Sequence, residues 1–371
     1  MSNYIEYNDK VAFHPGYYIQ EIIEDSGLTQ DDFARRLNTT AKNLSLLIRG
    51  EQSLSVDIAV KLSRMLGSSV EYWLNLQNAF DCLCMEIEYE EELKEEKEIL
   101  KVLGYRYFRD YFHLPDLPRK LEEQVRVVRE FLKVSTLTVL KNPAIGVSFR
   151  SAKGFSNDNV IRANAMVQIA INNAAGGSAP KYNRKAFQAA AERALGLTER
   201  HDEFYPIIKH DFYQAGVLLE ILPNIKGSKI NGACKKVGKN VVLMLNDRRL
   251  YSDTFWFTLY HEIGHILNGD YGASFEVTDH REDSADQYAA DMLIPPEQYE
   301  VFLSKNDFSK KAICDFAYEI HRDPGIVIGR LQHEERIGHD VSGLQALRYK
   351  YYIKGISCQK EYLRESIEEK S

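Results

Sequence analysis

The sequence predicts a mainly helical protein with one small β-sheet, an α+β fold, and three observations carry that expectation. Apolar residues recur at helical spacing through most of the 371 residues, between recognisable caps. Two β-rich runs bounded by turn residues, Gly216–Leu222 and Asn240–Leu245, lie close together, and Lys229–Cys234 can add a short strand between them. Soon after these runs, one helix carries His261-Glu262-Ile263-Gly264-His265, the cluster with the greatest chemical promise in the chain.

His14-Pro15-Gly16 opens the first helix, since proline suits a first turn, and Ile19, Ile22 and Ile23 give it an apolar face that ends near Gly27. Thr29 caps a second helix with Asp32 as capping partner, and Phe33, Ala34 and Leu37 line its inner side. After a tight turn at Asn38-Thr39, Thr40 caps a third helix over 41–49, closed by Gly50. Two short helices, a tight turn and a third element of this size predict a helix-turn-helix, bounded here as 1–81. Leu44, Leu47 and Ile48 face its core, and Lys42, Asn43 and Ser45 are placed to meet base edges. Gln30 and Thr40 stand at helix starts, where phosphates are gripped, and Arg35 adds a general phosphate contact.

From His14 to Asp81, down to Glu71-Tyr-Trp73-Leu-Asn-Leu-Gln77, the segment resembles the HigA-like antitoxins and the wider Xre repressor family. The resemblance implies operator DNA bound as a homodimer, and a toxin partner. The chain departs from that pattern at Glu51-Gln52, where such proteins often carry a basic pair. Residues 1–81 hold seven Lys/Arg against eleven Asp/Glu. Phosphate neutralisation dominates non-specific affinity, so a monomer should hold duplex DNA weakly. A dimer presenting Arg35, Arg36, Lys42 and Arg49 on one face overcomes this. A docking or dimerisation module of the same fold is the competing expectation.

Residues 82–200 read as a helical linker and middle region. Cys82-Leu83-Cys84 is too closely spaced for a zinc finger and reads as core filling. Glu86 to Glu98, with eight glutamates and two lysines, continues in helical register through Leu103 as an exposed linker helix. Further helices fall at Leu121–Leu132, Ile161–Asn173 and Lys185–Leu195, with a loop over 142–158 and a turn at Gly176-Gly177-Ser178. That glycine pair is no phosphate loop, because no Lys-Ser/Thr follows and no strand precedes it.

The pentapeptide is the chemical centre of the third segment, 201–371. Ser252 and Asp253 can cap its helix and Gly269 can end it. Four residues apart on one face, His261 and His265 can share a zinc ion (or manganese in its place), with Glu262 beside it as general base toward a water. Catalytic zinc usually takes a third protein ligand, for which Asp270, His280, Glu282, Asp283 and Asp286 are the downstream candidates. Asp270 follows Gly269 so closely that the chain must double back at once. Asp279–Ile294 reads as a second helix stopped by Pro295-Pro296, with Glu282 in its first turn and Asp286 one turn on. That placing suits Glu282 as ligand, with His280 the alternative, and Asp286 as the acceptor that orients a ligand histidine through its other ring nitrogen.

Glu282-Asp-Ser-Ala285-Asp286-Gln-Tyr-Ala289-Ala290-Asp-Met-Leu293-Ile-Pro295, following His-Glu-Ile-Gly-His, resembles the ImmA/IrrE zinc endopeptidases over about residues 205–340. The resemblance implies a zincin-like metallopeptidase domain with Glu282 as third ligand. It also implies cleavage of a repressor-type protein under stress, with this chain itself or a partner as substrate. An oxyanion stabiliser is required besides the metal, with His333, His321, Tyr260 and Arg330 as candidates and His333 put forward. The competing class is a non-enzymatic DNA-binding antitoxin or regulator with a structural or metal-sensing zinc site. Five scattered cysteines, no leader-like start and no membrane-length apolar run predict a cytoplasmic protein without a membrane partner.

Overall fold

The computed structural model describes residues 3–142, 156–175, 178–248, 251–275, 280–339, 343–353 and 362–365, with the side chains of 272–283, 352–353 and 362–365 outside the described residues. The chain forms two compact units, Met1–Glu95 and Glu96–Ser371.

The first unit opens with an antiparallel hairpin, β1 (Tyr4–Tyr7) and β2 (Lys10–Phe13), for which the sequence offered no clear signal. Helices α1 (Pro15–Ser26), α2 (Gln30–Arg36), α3 (Ala41–Ile48) and α4 (Val56–Leu66) follow. The expected caps form: the backbone N–H of Asp32 donates to Thr29 and that of Asn43 to Thr40, both at 3.1 Å. Ile19, Phe33, Leu37, Leu44, Leu47, Leu62 and Trp73 share one core. The expected C-terminal helix and the acidic linker are one 34-residue helix, α5 (Val70–Leu103). Leu83 joins Ala12 and Phe80 in a small cluster. The core-filling expectation holds for Cys84, which packs against this cluster, and fails for Cys82, which is exposed.

In the second unit, β3 (Val217–Leu222), β5 (Asn240–Asn246), β4 (Ile230–Val237) and β6 (Gly272–Phe275) form a sheet in that spatial order. β3 and β5 run parallel and the other pairs antiparallel. Helices α6 (Tyr105–Phe112) and α7 (Leu121–Leu132) lead to α8 (Asn157–Ala174), which packs on β3, β4 and β5. Part of the segment read as a middle region therefore covers one side of the sheet. α9 (Arg184–Ala194) and α10 (Phe204–Gln214) precede the strands. Beyond them, α11 (Ser252–Asn268) packs on β4, β5 and α9, on α12 (His280–Leu293), and on α15 (Pro324–His333). α13 (Pro296–Ser304) and α14 (Lys310–Glu319) link the last two. A final hairpin, β7 (Lys350–Ile353) and β8 (Tyr362–Glu365), is bridged to Tyr251 through Lys350. Most of the predicted 142–158 loop and two residues of the 176–178 turn lie outside the described residues. Among the described residues no helix is long and apolar enough to cross a membrane.

Candidate functional site

α11 is buried on nearly every side: Trp256, Leu259, Tyr260, Ile263 and Ile266 lie in the largest core of the protein. Gly269 ends it in the left-handed conformation at φ 73°, as its sequence position implied. The expected N-terminal caps do not form. Tyr251 takes the cap position without a side-chain bond, and Asp253 lies in the first turn, turned to Arg348. A buried guanidinium is a stronger partner for a carboxylate than a helix N–H, so tertiary contact removes the cap.

His261 Nδ1 lies 2.7 Å from Asp286 Oδ1, and His265 Nδ1 lies 3.4 Å from Asp270 Oδ2. An ionised carboxylate only accepts, so Asp286 holds the His261 proton on Nδ1 and leaves its Nε2 a lone pair, while Asp270 stands beside the Nδ1 edge of His265 as an ion-pair neighbour. The two Nε2 atoms face each other at 3.1 Å. Two ring nitrogens at that separation need a proton or a cation between them. Two zinc–nitrogen bonds of about 2.0–2.1 Å at a tetrahedral angle hold their nitrogens roughly 3.3–3.4 Å apart, so this donor pair fits such an ion. Asp270, set aside in the sequence as too close to the turn, does double back: its N–H donates to the carbonyl of His265 at 3.0 Å. It reaches the outer side of the ring rather than the side facing His261.

Glu262 has no exposed surface, and among the described residues neither carboxylate oxygen meets a hydrogen-bond partner. Burying a carboxylate without partners is very costly, so such a group is held for a ligand. Two glycines make this packing. The α-carbon of Gly232 lies against Glu262: a β-carbon there would come within 2.8 Å of Cγ and Oε1. Gly264 admits Tyr288, whose ring edge would lie 3.1 Å from an added β-carbon, and so lets α12 approach α11 with Asp286 facing His261. Glu282 falls in the first turn of α12, as expected, but its side chain, with those of His280 and Asp283, lies outside the described residues. Among the described residues no three His, Cys, Asp or Glu side chains form a complete metal set.

In the first unit, α3 presents Lys42 to solvent and half-buries Asn43 and Ser45, while Leu44, Leu47 and Ile48 are buried as predicted. Gln30 and Thr40 stand at the starts of α2 and α3. The Asn43 carboxamide is engaged locally: Nδ2 donates to Thr39 Oγ1 at 2.9 Å, and Oδ1 accepts from Gln52 Nε2 at 2.7 Å. Arg35 pairs with Asp32 and Arg49 with Glu51, which dilutes the basic face. Among the described residues of this unit, Arg36, Lys42 and Arg64 carry no ion pair.

Residues 19–73 match the helix-turn-helix family, and residues 220–333 match the IrrE N-terminal-like domain of peptidase family M78. The HTH-type transcriptional regulator YddM of Escherichia coli is 40% identical over 73 residues, which are 19% of this chain and 78% of that protein. The antitoxin HigA-1 of Vibrio cholerae is 35% identical over 74 residues, 20% of this chain and 70% of the antitoxin. Virulence-associated protein I of Dichelobacter nodosus is 29% identical over 75 residues, 20% of this chain and 69% of its own length. The chain belongs to the helix-turn-helix regulators and carries an IrrE-like domain.

Within the IrrE-like domain the four oxyanion candidates have different surroundings. The Tyr260 hydroxyl donates to the Ala191 carbonyl at 2.7 Å, and burial pushes its pKa far up, so it is a packing residue. Arg330 bonds Glu334 and covers the Tyr299 ring at 5.4 Å. His321 and His333 are exposed at the ends of α14 and α15. Sequence reasoning missed Gly232, although a glycine inside a strand pattern signals close approach of another group. It also missed the buried Asp253–Arg348 pair, with oxygen–nitrogen distances of 2.7 and 3.1 Å, and His201, which joins Tyr351 at 2.8 Å and Asp323 at 3.0 Å. These pairs span about 95 to 150 residues of sequence and left no local signal.

Proposed function

We propose that the protein is a DNA-binding regulator whose IrrE-like domain is a zinc-dependent endopeptidase cutting a repressor-type protein, either a partner or another copy of this chain. The observation that carries the reading is the pair of facing Nε2 atoms, each ring backed by a carboxylate, beside a buried Glu262 without a described partner. His261, His265 and Glu282 would hold the ion, or manganese in its place. A bound zinc ion acts as a Lewis acid, polarising a peptide carbonyl and lowering the pKa of water. Asp286 keeps the His261 imidazole in the tautomer that leaves Nε2 unprotonated, and Asp270 flanks the Nδ1 edge of His265. Glu262 takes a proton from the attacking water and passes it to the leaving amine, so the peptide and one water become an acid and an amine. The helix-turn-helix domain recognises an operator as a homodimer, and a toxin partner follows by analogy with HigA-1.

Burial favours a second reading, a metal-stabilised regulator without turnover. His261 is 7%, His265 1% and Glu262 0% exposed, so a substrate carbonyl reaches the site only if neighbouring segments move. Metal analysis and peptide mapping separate the two. The wild-type chain co-expressed with its neighbouring genes under stress is expected to yield fragments that vanish with Glu262→Gln, while both proteins keep about one zinc. Identical fragments from both, or metal with no cleavage under any condition that relieves repression, would establish the regulator.

A further inference from the structure

We infer that Gln52, aimed by Asn43, reads an adenine-bearing base pair in the DNA held by the helix-turn-helix domain. The inference rests on the proposal that this domain binds an operator. Asn43 is the third residue of α3 and its carboxamide has two tasks: it donates to Thr39 at 2.9 Å and accepts from Gln52 at 2.7 Å. It thereby ties the turn before α3 to the loop after it. Gln52 is carried by that loop but held at the N-terminal end of the helix, where base edges are met in this fold. The loop itself is anchored. Leu54 is buried with its N–H donating to Gln77 Oε1 at 2.7 Å, and the N–H of Glu51 donates to the Leu46 carbonyl at 2.9 Å.

The hydrogen-bond inventory then identifies the base. One Nε2–H of Gln52 goes to Asn43, leaving a second N–H and the Oε1 lone pairs. A donor beside an acceptor matches N7 and the N6 amino group of adenine in the major groove, the pairing made by glutamine. A phosphate role suits Gln52 less well. It is uncharged, and the adjacent Glu51 is neutralised by Arg49 at 3.1 Å, so this loop offers direction rather than net charge. Because Gln52 is already held, little side-chain freedom is lost on binding. Asn43 is in this account a positioning residue.

The test uses the full chain. A randomised duplex library gives the preferred sequence, and every base pair in it is then varied against Gln52→Ala, Asn43→Ala and Gln52→Glu. Gln52→Ala is expected to lower discrimination at one adenine-bearing pair by about tenfold or more. Asn43→Ala should flatten the same pair, and the double variant should be no worse than Gln52→Ala alone. Gln52→Glu should convert the preference there to cytosine, whose N4 donates to a carboxylate; the Asn43 amide turns over and Thr39 becomes the donor. This near-isosteric substitution at a half-buried position keeps the test alive if Asn43→Ala disturbs folding. A uniform loss over all sequences with an altered salt slope, or a preference that survives Gln52→Ala, overturns the assignment while leaving operator binding intact. A wild-type chain that selects no sequence overturns both.

Discussion

Replacing Gly232 with alanine drives a methyl group into the Glu262 carboxylate. The added carbon would lie 2.8 Å from Cγ and Oε1 and 3.0 Å from Cδ, inside any ordinary contact distance. The strand cannot readily withdraw, because Gly232 is paired opposite Leu245 on one side and Ser274 on the other. Glu262 has no exposed surface to swing into, so the strain falls on the carboxylate and the helix that bears it. Overpacking of this kind costs about 1–3 kcal/mol. At roughly 2–4 °C per kcal/mol for a unit of this size, the melting midpoint should fall by about 2–12 °C. Zinc content should hold, since neither histidine is touched, whereas a misplacement of about 1 Å at the base should slow peptide cleavage on the order of 100-fold. Thermal melting of the full chain gives a readout that does not depend on turnover. Glu262→Ala alone, Gly232→Ala alone and the double variant form a cycle in which the double should recover about 1–2 kcal/mol relative to the sum. Strict additivity, or a Gly232→Ala protein that melts and cleaves like the wild type, would refute the steric argument.

Three further outcomes follow from other contacts. His261→Ala and Glu282→Ala should each lose the metal and Glu262→Gln should keep it, while Asp286→Ala should weaken zinc affinity about 10–100-fold; metal titration against a chelator checks this. Arg348→Ala should cost about 3–5 kcal/mol by leaving buried Asp253 without its cation, and Arg348→Ala with Asp253→Asn should recover part of that in a denaturant melt. Burial lowers the pKa of His14 below its usual 6.5, and its Nδ1 accepts the Gly16 N–H at 3.0 Å at the start of α1. A depressed histidine pKa means the unfolded chain binds the proton more readily, so stability present above pH 6.5 should decline as pH falls through the folded value; His14→Asn should flatten that slope in melts from pH 7.5 to 5.

Locally encoded features were legible from residues alone. The caps at Thr29 and Thr40, the buried side of α3, the left-handed stop at Gly269 and the extended runs of β3 and β5 all follow from neighbours within one or two turns, where backbone sterics and periodicity decide. The spacing of His261 and His265 placed both rings on one helical face for the same reason. Short elements without a strong pattern were not legible: the β1–β2 hairpin and the strand β6 draw their stability from partners elsewhere in the chain. Asp253 shows the limit most directly. By position it is a helix cap, yet Arg348, 95 residues away, takes its carboxylate into the interior, where an unpaired charge could not remain. Asn43 shows it again, since its place on α3 marked it as a base contact while Thr39 and Gln52 occupy its carboxamide. The sequence by itself determined which residues are candidates for the chemistry and which face of a helix His261 and His265 share. Only the tertiary structure decided what surrounds them, because orientation of a ring by Asp286, burial of Glu262 against Gly232 and engagement of a carboxamide depend on contacts that local propensity does not encode.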